Sequence, residues 1–255
     1  MSHVGDKLRV GKIEVSVMEY SVALALLEEQ ISGRKGGVFG FANAHSVNLA
    51  RHLPEFADAL KRVTVLNDGI GIELAARVLT GKRLPANLNG TDLTPALLAA
   101  LPANTRVFLL GSPPGVSEDA RAVFIQRFPL LSFVGARDGF FADAEGAEVA
   151  AEIAATAADL LIVGMGQPRQ EIWATRYGNA TGAVALCAGA ILDFTAGRFR
   201  RAPNWVQAAR LEWAYRLALE PRRLAQRYLI GNASFMAHVL LQRFNERRLT
   251  GKDRS

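Results

Sequence analysis

Along the first 195 residues, short β-branched apolar runs alternate with longer Ala/Leu-rich segments whose apolar positions recur at helical spacing. That is the rhythm of βα units wound around a largely parallel sheet. The pattern predicts strands at Gly37–Ala42, Val63–Leu66, Arg106–Leu110, Leu131–Val134, Leu160–Val163 and Ala183–Cys187. It also predicts a small hairpin of Leu8–Val10 and Ile13–Val15 turning through Gly11. Helices are expected at Glu19–Ser32, Pro54–Lys61, Ile70–Leu79, Asp92–Ala100, Val116–Phe128, Ala144–Ala157 and Arg169–Tyr177. Ser117 followed by Glu118 and Asp119 reads as a conventional helix start. The expected fold is α/β and doubly wound, with no internal repeat and no low-complexity linker.

After Gly197 the pattern changes. Alanine and leucine now alternate with arginine, giving helices around Trp205–Leu219 and Pro221–Arg248, with Glu220-Pro221 as the break between them. On the second of these, Leu224, Tyr228, Phe235, Val239 and Leu240 can share one side, while Arg222, Arg223 and Arg227 occupy the first turns. The division drawn from this change is an α/β core over residues 1–197 and a basic, amphipathic helical appendage over 198–255. Charge supports it: Ala196–Ser255 holds 13 Lys and Arg against 4 Asp and Glu, a net of +9, whereas the first 195 residues are net −3. Such a block normally faces something anionic: nucleic acid, lipid headgroups or a diphosphate.

Composition adds exclusions. The 255 residues are 50% apolar and 21% charged, which rules out disorder as the main state. The lone cysteine, Cys187, permits neither a disulfide framework nor a cysteine-based zinc site, and suits a reducing, cytoplasmic compartment. Residues Met1–Leu8 carry no apolar signal core, and no run of 18 apolar residues exists to span a bilayer. With histidines only at 3, 45, 52 and 238, a metal cluster is not expected.

Candidate chemistry collects where predicted strands end. Gly164-Met-Gly-Gln-Pro-Arg-Gln-Glu171 follows a strand and opens a helix; glycines 164 and 166 permit close backbone approach, and Pro168 suits the first helical position. A nucleotide diphosphate is the natural guest, and a plain strand-to-helix turn is the competing explanation. The third glycine of a dinucleotide fingerprint is replaced by Arg169, which argues against NAD. A second glycine turn, Leu110-Gly-Ser-Pro-Pro-Gly-Val116, sits in the same context, where Ser112 serves a phosphate or merely the turn. In Asn67-Asp68-Gly69 the carboxylate is either a helix cap or a general base. Asn43, His45 and Asn48, on the loop after Gly37–Ala42, add polar groups at the same end, and His45 reads as a base, a phosphate ligand or a structural residue. The turn Asn87 to Asp92 reads as a helix cap at Thr91 or Asp92, and Asp193 as a turn residue or an acceptor for ribose or base.

Taken in order, these blocks resemble the WecG/TagA/CpsF family of bacterial glycosyltransferases, also called glycosyltransferase family 26. The resemblance is carried by Asn43-Ala-His45, Asp68-Gly-Ile-Gly71, Asn89-Gly-Thr-Asp92, Leu110-Gly111, Gly164–Glu171, Gly189–Asp193, Glu212-Trp-Ala-Tyr-Arg216 and Glu220-Pro-Arg-Arg223. It implies a Rossmann-like sheet and a metal-independent, inverting transfer, without cofactor. The sugar passes from a UDP-sugar to a saccharide on undecaprenyl diphosphate, in surface or exopolysaccharide assembly. It implies Asp68 as general base and a diphosphate held by Gln170 and the Gly164–Glu171 loop; Asn43 and His45 join Asp68 as candidate catalytic residues, and Gly111, Gly164, Gly166 and Glu171 join Gln170 as candidate substrate-binding ones. Phe140 and Asp193 would flank the uridine. Arg216, Arg222, Arg223 and Arg227 would close over the diphosphates and help dock the protein on the inner face of the cytoplasmic membrane. Nucleic acid is not among the implied partners, and a homo-oligomer is left open. Two positions depart from the family pattern: Phe41, where many relatives have threonine, and Asn87, where many have arginine, so the sugar is left open.

Two other classes compete. The βα rhythm alone suits a nucleotide-dependent oxidoreductase, and the +9 segment suits a non-enzymatic module binding a membrane or another anion. The same arginines also fit a merely solvated helix face.

Overall fold

The computed structural model describes residues 6–199, 202–203, 206, 212–219, 221–225 and 229–252. Its strands are β1 (Lys7–Val10), β2 (Ile13–Ser16), β3 (Val38–Ala42), β4 (Thr64–Asn67), β5 (Arg106–Gly111), β6 (Ser132–Arg137), β7 (Leu160–Gly164) and β8 (Val184–Cys187). They form one sheet in the order β1-β2-β4-β3-β8-β7-β5-β6. Only β1 runs antiparallel, in the hairpin predicted around Gly11; every other neighbouring pair is parallel. Strands β3, β7 and β8 are buried at every position, which is why their sequences are continuous apolar runs without alternation.

Successive strand residues feed two cores. Val38, Val65, Leu161 and Cys187 face α2 (Ala44–His52), α3 (Pro54–Leu60), α4 (Ile70–Thr80), α7 (Gly146–Ala155) and α8 (Arg169–Tyr177), with Val47, Phe56, Ile72, Ile153 and Trp173 as the helical contributions. Phe39, Leu66, Ile162 and Leu186 face α1 (Tyr20–Ser32), α5 (Gly90–Ala100), α6 (Val116–Arg127) and α9 (Ile191–Thr195), through Leu27, Leu97, Phe124 and Leu192. The Rossmann-like, doubly wound expectation holds. The connections leaving β5 and β7 depart to opposite faces, as α6 and α8, and so do those leaving β3 and β8, as α2 and α9. Such points of divergence open a crevice at the C-terminal ends of the strands.

Several local expectations are corrected. Of Asn43, His45 and Asn48 only Asn43 is on the connection after β3, where it caps α2, its Oδ1 accepting from the amides of His45 (3.0 Å) and Ser46 (3.2 Å); His45 and Asn48 lie within the helix. Asn89, not Thr91 or Asp92, caps α5, its Oδ1 accepting from the Asp92 amide. The start of α6 is as expected, with Ser117, Glu118 and Asp119 in its first turn after Gly115; Ser117 is buried and donates to the Gly111 carbonyl (2.5 Å). Pro168 immediately precedes α8, after a cis peptide bond from Gln167, instead of occupying its first position. Asp193 sits on the short helix α9, not in a turn.

Beyond Gly197 the described helices are α10 (Glu212–Leu219), α11 (Pro221–Ala225), with Pro221 at its start as expected, and α12 (Gly231–Lys252). Helix α12 belongs to the core. Phe235 and Val239 are buried against α2 and α4, and Gln242 grips the hairpin, its Oε1 accepting from Gly11 N (2.9 Å) and its Nε2 donating to Arg9 O (3.1 Å). Asn48 Nδ2 donates to Gly231 O (2.7 Å) and Arg243 Nη1 to Leu79 O (2.7 Å), fastening the helix near both ends of its buried stretch. Of the apolar side predicted here, Leu240 is exposed instead of buried. Trp205, Arg227 and Tyr228 lie outside the described residues. No helix among the described residues is long and apolar enough to cross a membrane.

Candidate functional site

Because β2 to β8 run in one direction, the segments after β3, β4, β5, β6, β7 and β8 all emerge at one end of the sheet. The residues singled out in the core sequence are on these segments: Asn43 and His45 after β3, Asp68 after β4, Gly111 ending β5, Phe140 after β6, Gly164 to Glu171 from the end of β7, and Asp193 after β8.

Four of the segments meet closely, those after β5, β6, β7 and β8. A Cβ built on Gly111 would overlap the backbone of Gly164, one on Gly139 would lie 2.7 Å from the Met165 side chain, and one on Gly164 would lie 2.9 Å from the Gly189 carbonyl oxygen. Hydrogen bonds continue the contact: Ser112 N donates to Gly164 O (3.0 Å) and Gly139 N to Ser112 O (2.9 Å). Glycine is needed here for close approach of the chain to itself, and Gly111, at φ +147°, also has a backbone that side chains resist. Ser112 Oγ donates to Asp193 Oδ2 (2.9 Å), and Arg198 pairs with Asp193 Oδ1 (3.0 Å), so Asp193 links the β5 turn to the start of the basic segment.

Phe140 is 70% exposed, on a segment bound to the glycine loop. Arg169 makes that bond: its guanidinium donates to the carbonyls of Gly139 and Phe141 and lies 4.8 Å from the centre of the Phe141 ring. The Phe140 amide donates to Asp138 Oδ1 (2.8 Å), tightening the same turn. Sequence reasoning passed over Arg169, registering it only as a missing glycine.

Around Asp68 the cap explanation lapses, since Gly69, at φ +82°, is the N-cap of α4. The Asp68 amide donates to Ala42 O (2.8 Å), and Asn43 Nδ2 donates to Asp68 Oδ2 (3.4 Å). Asn87 accepts from the Gly69 amide (2.8 Å), and Asn67 Nδ2 donates to Ala86 O (2.8 Å), so segment 86–87 buttresses the turn. Phe41 is buried, its ring packed where a side chain at Gly90 would stand.

In the Gly164–Glu171 loop, Gln170 is 2% and Glu171 0% exposed. Gln170 Oε1 accepts from Gly166 N (3.2 Å), and its Nε2 donates to Glu171 Oε1 (2.8 Å). Both side chains are buried and bond within the loop, Gln170 to its backbone at Gly166 and to Glu171. Burial pushes the Glu171 carboxyl up to about 7, against the opposing pull of hydrogen bonds from Gln170 and Gln167. Burial, and then the neighbouring Glu171, push the Cys187 thiol well up. Gln167, also overlooked in the sequence, reaches across: Nε2 donates to Phe41 O (2.8 Å) and Glu171 Oε1 (3.1 Å), and Oε1 accepts from Ser46 Oγ (2.8 Å).

Two clusters thus share the glycine loop: Asn43, Asp68, Gly166, Gln170 and Glu171 through side-chain hydrogen bonds, and Gly111, Gly164, Asp193 and the Phe140 segment through close backbone packing. Of the four basic-segment arginines, Arg222 is exposed on α11, Arg216 and Arg223 stand on α10 and α11, and Arg227 is outside the described residues.

A family model described as the glycosyl transferase WecG/TagA/CpsF family matches residues 8–249. A Bacillus subtilis (strain 168) protein named N-acetylglucosaminyldiphosphoundecaprenol N-acetyl-β-D-mannosaminyltransferase is 31% identical over 78% of this chain and 77% of its own length. A protein of the same name from Bacillus spizizenii is 34% identical over 62% of each chain.

Proposed function

Since the chain belongs to the WecG/TagA/CpsF family and is a glycosyltransferase, we propose that it moves a sugar from a UDP-sugar to a saccharide carried on a polyprenyl diphosphate, with inversion and without a divalent ion. The oxidoreductase and non-enzymatic readings fall with the family assignment.

The observation that carries the proposal is the position of Asp68. It stands at the C-terminal end of a parallel strand, is not the cap of α4, is bonded to Asn43, and is joined through Asn43, Ser46 and Gln167 to the glycine loop. In the proposed step the acceptor hydroxyl loses its proton to Asp68 as its oxygen bonds to the anomeric carbon. The bond from that carbon to the UDP oxygen breaks on the opposite face. One carboxylate suffices for a single displacement. The diphosphate would lie against Gly111, Gly164 and Gly166, and the uridine between Phe140 and Asp193. The negative charge of departing UDP would be offset by loop amides and by arginines of the basic segment, Arg216, Arg222, Arg223 and Arg227.

The acceptor is a membrane lipid in this reading, so the enzyme would work at the cytoplasmic membrane surface. The exposed Leu219, Leu229, Ile230 and Phe244, close in sequence to the exposed Arg222 and Arg248, support a peripheral attachment. The appendage over residues 198–255 would carry this attachment, with α12 also packed on the core through Phe235 and Val239. N-acetylmannosamine is the donor sugar to try first, because the two relatives are named for it.

Calorimetric titration with UDP in the presence of EDTA tests the donor half of the proposal. Saturable UDP binding with no response to NAD is expected; NAD binding without UDP binding would refute it.

A further inference from the structure

Both ends of the Gln167 side chain are committed, and to different parts of the site. Its Nε2 holds Phe41 O at the end of β3 and Glu171 Oε1 on α8, while its Oε1 receives Ser46 Oγ from α2. Strands β3 and β7 are not neighbours, since β8 lies between them. The glutamine therefore spans the end of β8 and ties the turn bearing Asn43 to the loop bearing Gly166.

The link continues in both directions. Ser46 Oγ accepts from Asn43 N (3.0 Å), Asn43 Oδ1 accepts from Ser46 N (3.2 Å), and Asn43 Nδ2 reaches Asp68. On the other side Glu171 Oε1 also receives Gln170 Nε2, and Gln170 Oε1 holds Gly166 N. Glu171 is sealed in the interior with its second oxygen, Oε2, lacking any hydrogen-bond partner. A buried polar group left in this state calls for an explanation beyond stability, and a network held together by one carboxyl oxygen supplies it.

We propose that Gln167 is a positioning residue that couples occupancy of the glycine loop to the alignment of Asp68. The proposal rests on the transferase reading above. A donor phosphate that takes the Gly166 amide must displace Gln170 Oε1. Gln170 then shifts against Glu171, and Gln167 passes the shift to Ser46 and Asn43. Binding energy from the diphosphate is thereby used to set the base for the acceptor. Glutamine suits the position because donor and acceptor are both required at that reach; methionine matches its length and supplies neither.

The test compares Gln167→Met, Ser46→Ala and the double variant in the full chain. Each is measured by UDP calorimetry and by transfer from UDP-N-acetylmannosamine to N-acetylglucosaminyl-diphosphoundecaprenol. Each single change should lower kcat about tenfold and tighten UDP binding, with donor KM falling in step, by up to about tenfold, because binding energy no longer goes into aligning Asp68. The double variant should be no worse than the poorer single one, because both changes cut the same link. Unchanged kcat in either single variant, or effects that multiply in the double, would overturn the coupling; Ser46→Ala stands alone if Gln167→Met fails to fold. A wild-type chain that binds no UDP and transfers nothing defeats the transferase reading and the coupling together, a result distinct from active variants.

Discussion

Asn43 donates its side-chain amide to Asp68 across 3.4 Å, joining the ends of two adjacent parallel strands, β3 and β4. The same asparagine caps α2, so its orientation is set by backbone amides and not by the aspartate. Asp68→Asn should lower kcat about 100-fold or more, the share that a general base supplies, with donor KM little changed. Asn43→Ala should cost less in kcat but also lower the melting temperature, since a helix cap is lost. Steady-state kinetics beside thermal melts separates the two effects.

Gly111 and Gly164 leave no room for a side chain between them. Gly111→Ala should destabilise the fold by roughly 2 to 4 kcal/mol, combining backbone strain with overpacking, and should abolish UDP binding even where the chain remains folded. Denaturant titration and calorimetry measure the two losses separately.

Arg169 fixes the segment that presents Phe140. With Arg169→Ala, amide exchange across residues 138–142 should accelerate by about tenfold or more, as charge-assisted bonds and a cation–π contact disappear. Exchange in α1 on the opposite face should not change. Hydrogen-exchange mass spectrometry resolves these peptides.

The buried Glu171 carboxyl makes stability depend on pH. Its folded-state value of about 7 lies above the ordinary 4.5, so between these pH values the folded chain keeps a proton that the unfolded chain has released. Its contribution to stability is therefore full below about pH 4.5 and is lost as pH rises to about 7, by on the order of 3 kcal/mol. Glu171→Gln keeps an acceptor at the Oε1 position and cannot ionise. The variant should match the wild type near pH 5 and exceed it near pH 8, as chemical denaturation at the two pH values would record.

Much of the fold was legible because the physics was local. Strands such as Leu160–Gly164 are buried on both faces, so their apolar runs are unbroken, and glycines at their ends mark the turns. Helix α2 was not legible: only Ser46, Val47 and Ala50 are buried in it, and its start depends on the reciprocal Asn43 and Ser46 cap instead of apolar spacing. Helix α9, with five residues, is too short to show a period, which left Asp193 looking like part of a turn. The divergence at β5 and β7 depends on strand order, which a single chain of βα units does not encode locally. The roles of Arg169 and Gln167 were not legible because their partners, Phe141 and Ser46, are distant in sequence. The apolar side of α12 was legible at Phe235 and Val239, but the basic composition after Gly197 hid how firmly it packs against α2 and α4.

Phe235 tests that last point. It is 1% exposed on α12, which packs against α2 and α4. Phe235→Ala should destabilise the whole chain by roughly 3 to 5 kcal/mol in a single unfolding transition. A separate early transition with the core unaffected would show that α12 is an independent appendage.

The most direct test of the account is transfer itself. The full chain would be incubated, in EDTA, with N-acetylglucosaminyl-diphosphoundecaprenol and labelled UDP-hexoses, beginning with UDP-N-acetylmannosamine, and compared with Asp68→Asn. Labelled lipid is expected with the wild type and about 100-fold less or lower with the variant. Transfer that stops with EDTA, or an Asp68→Asn variant as fast as the wild type, would contradict it.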